Sequence, residues 1–155
     1  QRFMSPEKIS QRIVSYRMDW IERMISEVRL LPLDDYNRFI ADRRNVWSAE
    51  SCLRRALEGL MDLGRHIMAK GFARAVSEYK EIANGLHEFE VLDREEAEIF
   101  RILAGYRNRM VHFYHEISWE ELYSICSKEL GDVESLVDTM KQWLNKHPDM
   151  LDDSV

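Results

Sequence analysis

The sequence contains few cysteine, proline and glycine residues, with 2, 3 and 6 of them among 155 positions. Cys52 and Cys126 have no second Cys or His at metal-ligand spacing, which argues against a disulfide framework or a zinc site. The shortage of Pro and Gly, together with 32% charged residues, favours amphipathic helices over strands. We therefore expect a helical protein with reduced, buried thiols and no metal or other cofactor.

Long apolar runs and an excess of positive charge are also missing. No apolar run approaches the roughly 20 residues that span a bilayer, and the N-terminus lacks a signal-peptide pattern. We therefore expect a cytoplasmic protein that does not associate with membranes. The net charge of -6 argues against a nucleic-acid site covering the whole surface. A basic site can only be local, and residues 101–115 supply one, with three arginines, two histidines and no acid.

The first helix is predicted over about residues 6–30. Ser5 would be its N-cap and Pro6 its first helical residue, because proline lacks the N–H that this position leaves unused. Apolar residues at helical spacing predict its buried face: Ile9, Ile13, Tyr16, Trp20, Met24 and Val28.

A second helical stretch is predicted after the break at residues 31–33. Asp34 or Asp35 can cap it, and it should bend near Asn45 and end near Lys70. Its predicted buried stripe is Val46, Leu53, Leu57, Leu60, Leu63 and Ile67.

Cap signals mark four more helices. Ser77 opens a short helix to about Glu88, and Asp93 with Glu96 forms a capping box for the helix that carries the basic segment.

Ser118 and Glu121 form another capping box, for a helix that ends around residues 130–131. Asp132 caps a last helix through about Lys146. The chain is thus predicted to be an all-α, up-and-down helical bundle of four to six helices. Residues 1–147 would form one domain, with an N-terminal helical extension over about 1–45 and a flexible tail at 148–155.

The segment Arg107-Asn108-Arg109-Met110-Val111-His112-Phe113-Tyr114 concentrates groups suited to phosphate chemistry. A guanidinium can hold a phosphate oxygen, an imidazole can move a proton near neutral pH, and a phenol can accept a covalent group. The alternative interpretation is a helix end whose arginines complement the helix dipole and whose His and Tyr are packing groups.

Two other spacings suggest weaker interpretations. Asp62 and His66 are one helical turn apart and could hydrogen-bond, either beside a cleft or in solvent. His112 and His115 have a spacing compatible with a metal pair, but no inward carboxylate completes it.

The segment from Arg107 to Tyr114 resembles the Arg, four residues, His, one residue, Tyr signature of HepT toxins in the HEPN ribonuclease superfamily. Further similarity lies, in order, in residues 56–67, 79–82, 104–114 and 117–123.

The resemblance implies a HEPN-like bundle that acts as a metal-independent endoribonuclease and leaves a 2′,3′-cyclic phosphate. His112 would be the general acid/base at the RNA 2′-hydroxyl or at the leaving oxygen, and Arg107 would stabilise charge on the phosphate. Asn108 would orient that phosphate or cap the helix, while Arg109 and Arg101 would contact RNA, possible targets being tRNA and mRNA.

The resemblance also implies partners. A homodimer would build the cleft, and an MntA-like nucleotidyltransferase antitoxin would neutralise the toxin by adenylylating Tyr114. The alternative is a noncatalytic HEPN bundle that binds nucleotide or serves as the helical partner of a nucleotidyltransferase.

Overall fold

The computed structural model describes residues 7–112 and 117–153. Within these ranges there are seven α-helices: α1 (Gln11–Arg29), α2 (Tyr36–Ala41), α3 (Arg43–His66), α4 (Tyr79–Glu88), α5 (Arg94–Val111), α6 (Trp119–Lys128) and α7 (Leu130–Lys146). A π-helical turn at Ile67–Gly71 extends α3, and a 3-10 turn at Pro148–Met150 follows α7. Two short strands, β1 (Ile9–Ser10) and β2 (Leu151–Asp152), pair in parallel. None of the helices in these ranges is long and apolar enough to cross a membrane.

Helix α3 lies at the centre of the bundle. It packs against α1 along much of its length and also contacts α2, α4, α5, α6 and α7. The stripe predicted for it is confirmed, since all six residues are at most 1% exposed: Val46, Leu53, Leu57, Leu60, Leu63 and Ile67. Because one continuous cluster of buried side chains surrounds this stripe, the predicted all-α bundle is confirmed.

The predicted face of α1 is wrong for half of its members. Ile13 and Tyr16 are 38% and 71% exposed, and Trp20 is only partly buried. The buried face instead comprises Val14, Met18, Ile21, Met24, Ile25 and Val28. Both sets have helical spacing, so periodicity alone could not choose between them, and contact with α3 determined which set is buried.

Both ends of the described chain meet beside the π-helical turn. Ser5, the predicted N-cap, lies outside the described residues, and α1 begins at Gln11 with Ser10 as its N-cap. Residues 148–152 were predicted as part of a flexible tail, but they form the 3-10 turn and β2. This segment is held because β2 pairs with β1 and Met150 and Leu151 pack against the core.

The second predicted helix is divided into α2 and α3, so the bundle has one helix more than the predicted maximum of six. Asp42 has extended backbone angles and its side chain accepts a hydrogen bond from the N–H of Arg44. The break is therefore at Asp42 and not near Asn45. It could not be located from spacing because Asp is unexceptional within a helical pattern until its side chain caps a new N-terminus.

Cap predictions elsewhere had mixed outcomes. The capping box of Asp93 and Glu96 is confirmed, with both reciprocal hydrogen bonds present. At α4 the N-cap is Glu78 and not Ser77, and at α7 the N-cap is Glu129 and not Asp132. Neither of these glutamates makes a side-chain cap hydrogen bond.

Gly64 lies where α3, α4 and α5 meet. A Cβ added there would lie 2.9 Å from Ile82 Cγ2, 3.1 Å from Leu86 Cδ1 and 3.2 Å from Phe100 Cζ, and all three side chains are buried. We expect Gly64→Ala to lower the free energy of unfolding by about 1–3 kcal/mol, because overpacking outweighs the better helix propensity of alanine. Chemical denaturation of the two proteins measures this difference.

Gly131 is the matched control for that substitution. No atom lies within 4 Å of a Cβ at this position, so Gly131→Ala should be neutral or slightly stabilising. Equal effects of the two substitutions would contradict the packing assigned to Gly64.

His66 connects the N-terminal segment to α3 and should make stability depend on pH. Its Nε2 accepts a hydrogen bond from the Ser10 N–H at 3.2 Å, which requires an unprotonated nitrogen. Burial, followed by the charges of Arg17 and Lys70, lowers the pKa of His66 below its ordinary 6.5. The unfolded chain therefore binds this proton more readily, and stability from His66 is present above about pH 6.5 and lost as pH falls through the lower folded pKa.

Thermal unfolding between about pH 8 and 5 tests this dependence. We expect His66→Gln to reduce the loss of Tm on acidification, because an amide oxygen can accept the same hydrogen bond without titrating. His87→Gln, at an exposed histidine of α4, is the control. An unchanged pH profile in His66→Gln would rule out this origin.

Candidate active site

The C-terminal end of α5 carries most of the predicted site residues. The helix runs from the Asp93 capping box to Val111, and His112 leaves helical geometry with φ -91° and ψ 123°. The N–H of His112 donates to the carbonyl of Asn108 at 3.1 Å, which closes the last turn. The predicted modification site, Tyr114, and the second histidine of the segment, His115, lie outside the described residues.

Arg107 is held between α5 and α3. Its Nε donates to Glu58 Oε1 at 3.4 Å, and its Nη1 donates to Asn108 Oδ1 at 3.1 Å. The same Glu58 oxygen accepts from Arg54 Nη1 at 3.0 Å. Only 30% of the Arg107 side chain is exposed, and neither contact uses Nη2. The guanidinium is therefore oriented by protein groups while one of its nitrogens keeps its donors for another acceptor.

The side-chain oxygen of Asn108 accepts a hydrogen bond from the guanidinium of Arg107, and this side chain does not cap the helix. Its backbone carbonyl, and not its side chain, accepts the closing hydrogen bond from His112. The structure thus brings Arg107 and Asn108 into direct contact.

His112 is exposed and lines a cavity of about 400 Å³ between α3, the end of α5 and the start of α6. The other described residues around it are Glu50, Met110, Val111, Ile117, Trp119 and Leu122. Arg107 is not among these lining residues. Within one chain, Arg107 and His112 therefore occupy neighbouring positions on α5 without sharing this cavity.

Arg109 connects α5 to α6. Its Nη1 and Nη2 donate to the two carboxylate oxygens of Glu121 at 2.7 and 2.6 Å. This bidentate contact lowers the pKa of Glu121 and raises that of Arg109, first through hydrogen bonding. Since the Glu121 side chain is occupied by Arg109, only the Ser118 half of the second predicted capping box is present.

Arg101 lies at a distance from the other predicted residues. Its Nη1 donates to Glu98 at 2.7 Å and its Nη2 to Asn84 of α4 at 2.9 Å. Arg101 precedes Arg107 by six positions, about 9 Å along the helix axis. Both arginines predicted to contact RNA, Arg101 and Arg109, are thus paired with acids of the same chain.

Asp62 was considered as a hydrogen-bond partner of His66, but in the structure its carboxylate contacts two arginines. Asp62 pairs with Arg17 at 3.2 Å and with Arg65 at 2.6 Å, and does not form the predicted hydrogen bond with His66. No group of three or more His, Cys, Asp or Glu within 7–112 and 117–153 is arranged to hold a metal ion.

Cys52 and Cys126 do not form a disulfide. Cys126 is buried, as predicted, and burial raises its pKa to about 12. Cys52 is only half-buried, and burial raises its pKa as well. A raised pKa disfavours the thiolate, so neither side chain is an activated nucleophile.

Sequence reasoning missed several residues of this region. Glu58 and Arg54 gave no signal because an i, i+4 charge pair is typical of any solvated helix face. Trp119 gave no signal beyond its position directly after Ser118, where a helix was predicted to begin. Tyr106 was not singled out either, although its hydroxyl donates to Glu129 at 3.1 Å. Burial, followed by the charge of Glu129, raises the pKa of Tyr106 to about 12.

Comparison with known proteins is consistent with the resemblance noted in the sequence. A search of the curated proteins found no match. Several solved structures share the fold. One is a tri-AMPylated HEPN toxin from Shewanella oneidensis in complex with MNT antitoxin, with 21% identity, coverage of 84% of this chain and 97% of that chain, and a TM-score of 0.76.

The second structure is a toxin–antitoxin complex with AMP-PNP, with 20% identity, coverage of 85% and 99%, and a TM-score of 0.76. The third is YutE from Bacillus subtilis, described as a cytosolic protein of unknown function, with 15% identity, coverage of 90% and 94%, and a TM-score of 0.75. These similarities establish a HEPN-like helical fold.

The family is established by the sequence itself. A family model described as ribonuclease HepT-like matches residues 21–140, which include every predicted site residue from Arg101 to Tyr114. Since the match spans most of the 155 residues, this chain belongs to the HepT-like ribonuclease family.

Proposed function

We propose that this chain is the metal-independent endoribonuclease toxin of a toxin–antitoxin pair. The observation that carries the proposal is the end of α5. There, an oriented and half-buried Arg107 precedes by five residues an exposed His112 at the rim of a cavity. A fixed cation and an accessible imidazole are the two groups that cleavage of RNA by its own 2′-hydroxyl needs.

In the proposed reaction, His112 removes the proton of the 2′-hydroxyl, whose oxygen attacks the adjacent phosphorus. The bond from phosphorus to the 5′-oxygen breaks, and that oxygen takes up a proton from water, while His112 later releases its proton to solvent. The products are a 2′,3′-cyclic phosphate and a free 5′-hydroxyl. Arg107 stabilises the charge that develops on the phosphate oxygens, and Nη2 is the nitrogen that its protein contacts leave over.

Asn108 contributes to this site by fixing the Arg107 guanidinium, since its amide oxygen accepts from Nη1. In the proposal its role at the phosphate is thus exerted through Arg107. RNA contacts by Arg109 and Arg101 remain predictions. Each contact would use N–H groups that Glu121, or Glu98 and Asn84, leave unoccupied.

The proposal includes a homodimer in which both chains contribute Arg107 and His112 to one cleft. The separation of the two residues within a single chain supports it, because no arginine or lysine is among the described residues that line the cavity at His112. Val111 beside the cavity is 44% exposed, and a second chain could cover it.

The proposed partner is an MntA-like nucleotidyltransferase antitoxin that transfers AMP from ATP to Tyr114. The AMPylated toxin–antitoxin complex among the structural neighbours supports this part of the proposal. An added phosphate beside His112 would repel RNA and fill space at the site. We place both proteins and the RNA substrate in the cytoplasm.

Cleavage of labelled total RNA and tRNA by antitoxin-free protein in chelator tests the reaction. We expect wild type to leave cyclic-phosphate ends, and His112→Ala to lose about 10²–10⁴-fold in rate, the contribution of a general acid or base. Arg107→Lys should also lose most activity, because an ammonium cannot contact Glu58, Asn108 and phosphate in one plane.

Arg44→Ala is the matched control, since Arg44 pairs only with Asp42 at the start of α3. Light scattering shows whether each variant keeps the wild-type assembly. Wild type that leaves all RNA intact, with the same result for His112→Ala, would contradict the proposal and favour the noncatalytic nucleotide-binding or partner-helix alternative.

Coexpression with a cognate nucleotidyltransferase tests the modification. We expect intact-mass spectra to show AMP on wild type and none on Tyr114→Phe. Tyr106→Phe should still be modified, because Tyr106 is not the expected acceptor of AMP. In the wild type its hydroxyl is bound to Glu129, and its raised pKa makes it a poor nucleophile. An adduct that persists in Tyr114→Phe would assign the modification to another residue.

A further inference from the structure

Among the described residues, the cavity at His112 is lined by apolar, aromatic and ionisable side chains. Four of these residues are aliphatic or Met: Met110, Val111, Ile117 and Leu122. Its volume of about 400 Å³ lies within the range of ligand pockets, roughly 300–1,000 Å³. The flat indole of Trp119, at the first turn of α6, is 40% exposed beside it. A cavity that combines apolar side chains with an accessible aromatic ring and polar groups suits a planar, stackable group such as a base.

Glu50 is the acid among the described residues that line this cavity. It is exposed on α3 and, among the described residues, takes part in none of the ion pairs. The nearby arginines are committed to other acids, Arg54 and Arg107 to Glu58, and Arg109 to Glu121. A free carboxylate repels phosphate, so the group that enters this cavity should offer hydrogen-bond donors and carry no negative charge.

We propose that this cavity binds the base of a nucleotide adjoining the cleaved bond, and that it selects guanine. This inference rests on the proposed ribonuclease function. Guanine presents two adjacent donors, N1–H and the N2 amino group, which match the two oxygens of the Glu50 carboxylate. Adenine, cytosine and uracil do not offer two such donors side by side on that edge. Trp119 stacks on the base, and His112 at the rim is placed next to the same nucleotide's ribose or phosphate.

Glu50→Gln is the informative variant because it changes hydrogen-bonding capacity and hardly changes volume. An amide offers one donor and one acceptor, so it can satisfy only one of the two guanine donors and suits adenine better. The substrates are uridine-rich oligoribonucleotides with one variable position, occupied by guanosine, inosine or adenosine. Inosine lacks the N2 amino group and therefore removes one donor from the base.

We expect wild type to cleave the substrates in the order guanosine, inosine, adenosine. Glu50→Gln should lower the ratio of guanosine to adenosine cleavage about tenfold, the discrimination typical of one bidentate contact. Glu27→Gln, at an exposed glutamate of α1, should leave the ratio unchanged. A structural role of Glu50 would lower cleavage of all three substrates equally.

Trp119 is tested by two substitutions. Trp119→Phe should retain most cleavage, because a phenyl ring still stacks on a base. Trp119→Ala should slow cleavage of the substrates whichever base occupies the variable position. Tyr16→Ala, at a tyrosine of α1 that is 71% exposed, is the control. Thermal unfolding confirms that each variant is folded.

Binding of 2′-deoxy versions of the oligonucleotides separates this inference from the proposed function, because they bind without being cleaved. Anisotropy should show guanine preference that Glu50→Gln abolishes. If wild type cleaves RNA and neither cleavage nor binding depends on base or on Glu50, the base pocket is wrong and the ribonuclease stands. If no RNA is cleaved but the Glu50-dependent guanine preference remains, the ribonuclease is wrong and the pocket stands.

Discussion

The burial of the α3 apolar stripe is the constraint on which the rest of the structure depends. Side chains from Val46 to Ile67 are removed from water on several sides of this helix, and the other helices are placed by covering them. At about 25 cal/mol per Å² of apolar surface, such burial is the main source of stability in a bundle of this size. The same helix is thereby fixed beside the end of α5, where its polar residues Glu50 and Glu58 meet the candidate site.

Electrostatics explain how a protein with a net charge of -6 can present an oriented arginine at the end of α5. Most arginines near the site are neutralised locally, as Arg109 is by Glu121. Arg107 is also paired, but its two contacts are directed at Nε and Nη1 and orient the guanidinium. Arg107 is thus an oriented cation at the end of α5, while Glu50 adds a negative charge to the wall of the neighbouring cavity. This end of the bundle therefore places a positive group, Arg107, and a negative group, Glu50, at separate positions.

The fold was largely predictable because helix signals are local. The Asp93 capping box and the α3 stripe depend on residues within a few turns, and both are confirmed. The wrong predictions concern choices made at a distance. The exposed Tyr16 face of α1 is as periodic as its buried face, and the pairing of residues 9–10 with 151–152 joins opposite ends of the chain. Of the site, residue types and their place at a helix end could be predicted, whereas the Glu58 and Glu121 contacts could not.

The sequence by itself determined an all-α bundle, the Asp93 capping box, the main apolar stripe and the concentration of Arg107, His112 and Tyr114 in one segment. These properties follow from spacing and residue chemistry within single segments. Only the tertiary structure decided that Glu58 of α3 orients Arg107, that Glu121 neutralises Arg109, and that Glu50 and Trp119 flank His112. The reason is physical: each of these contacts joins helices far apart in sequence, and packing against the buried core sets their relative position.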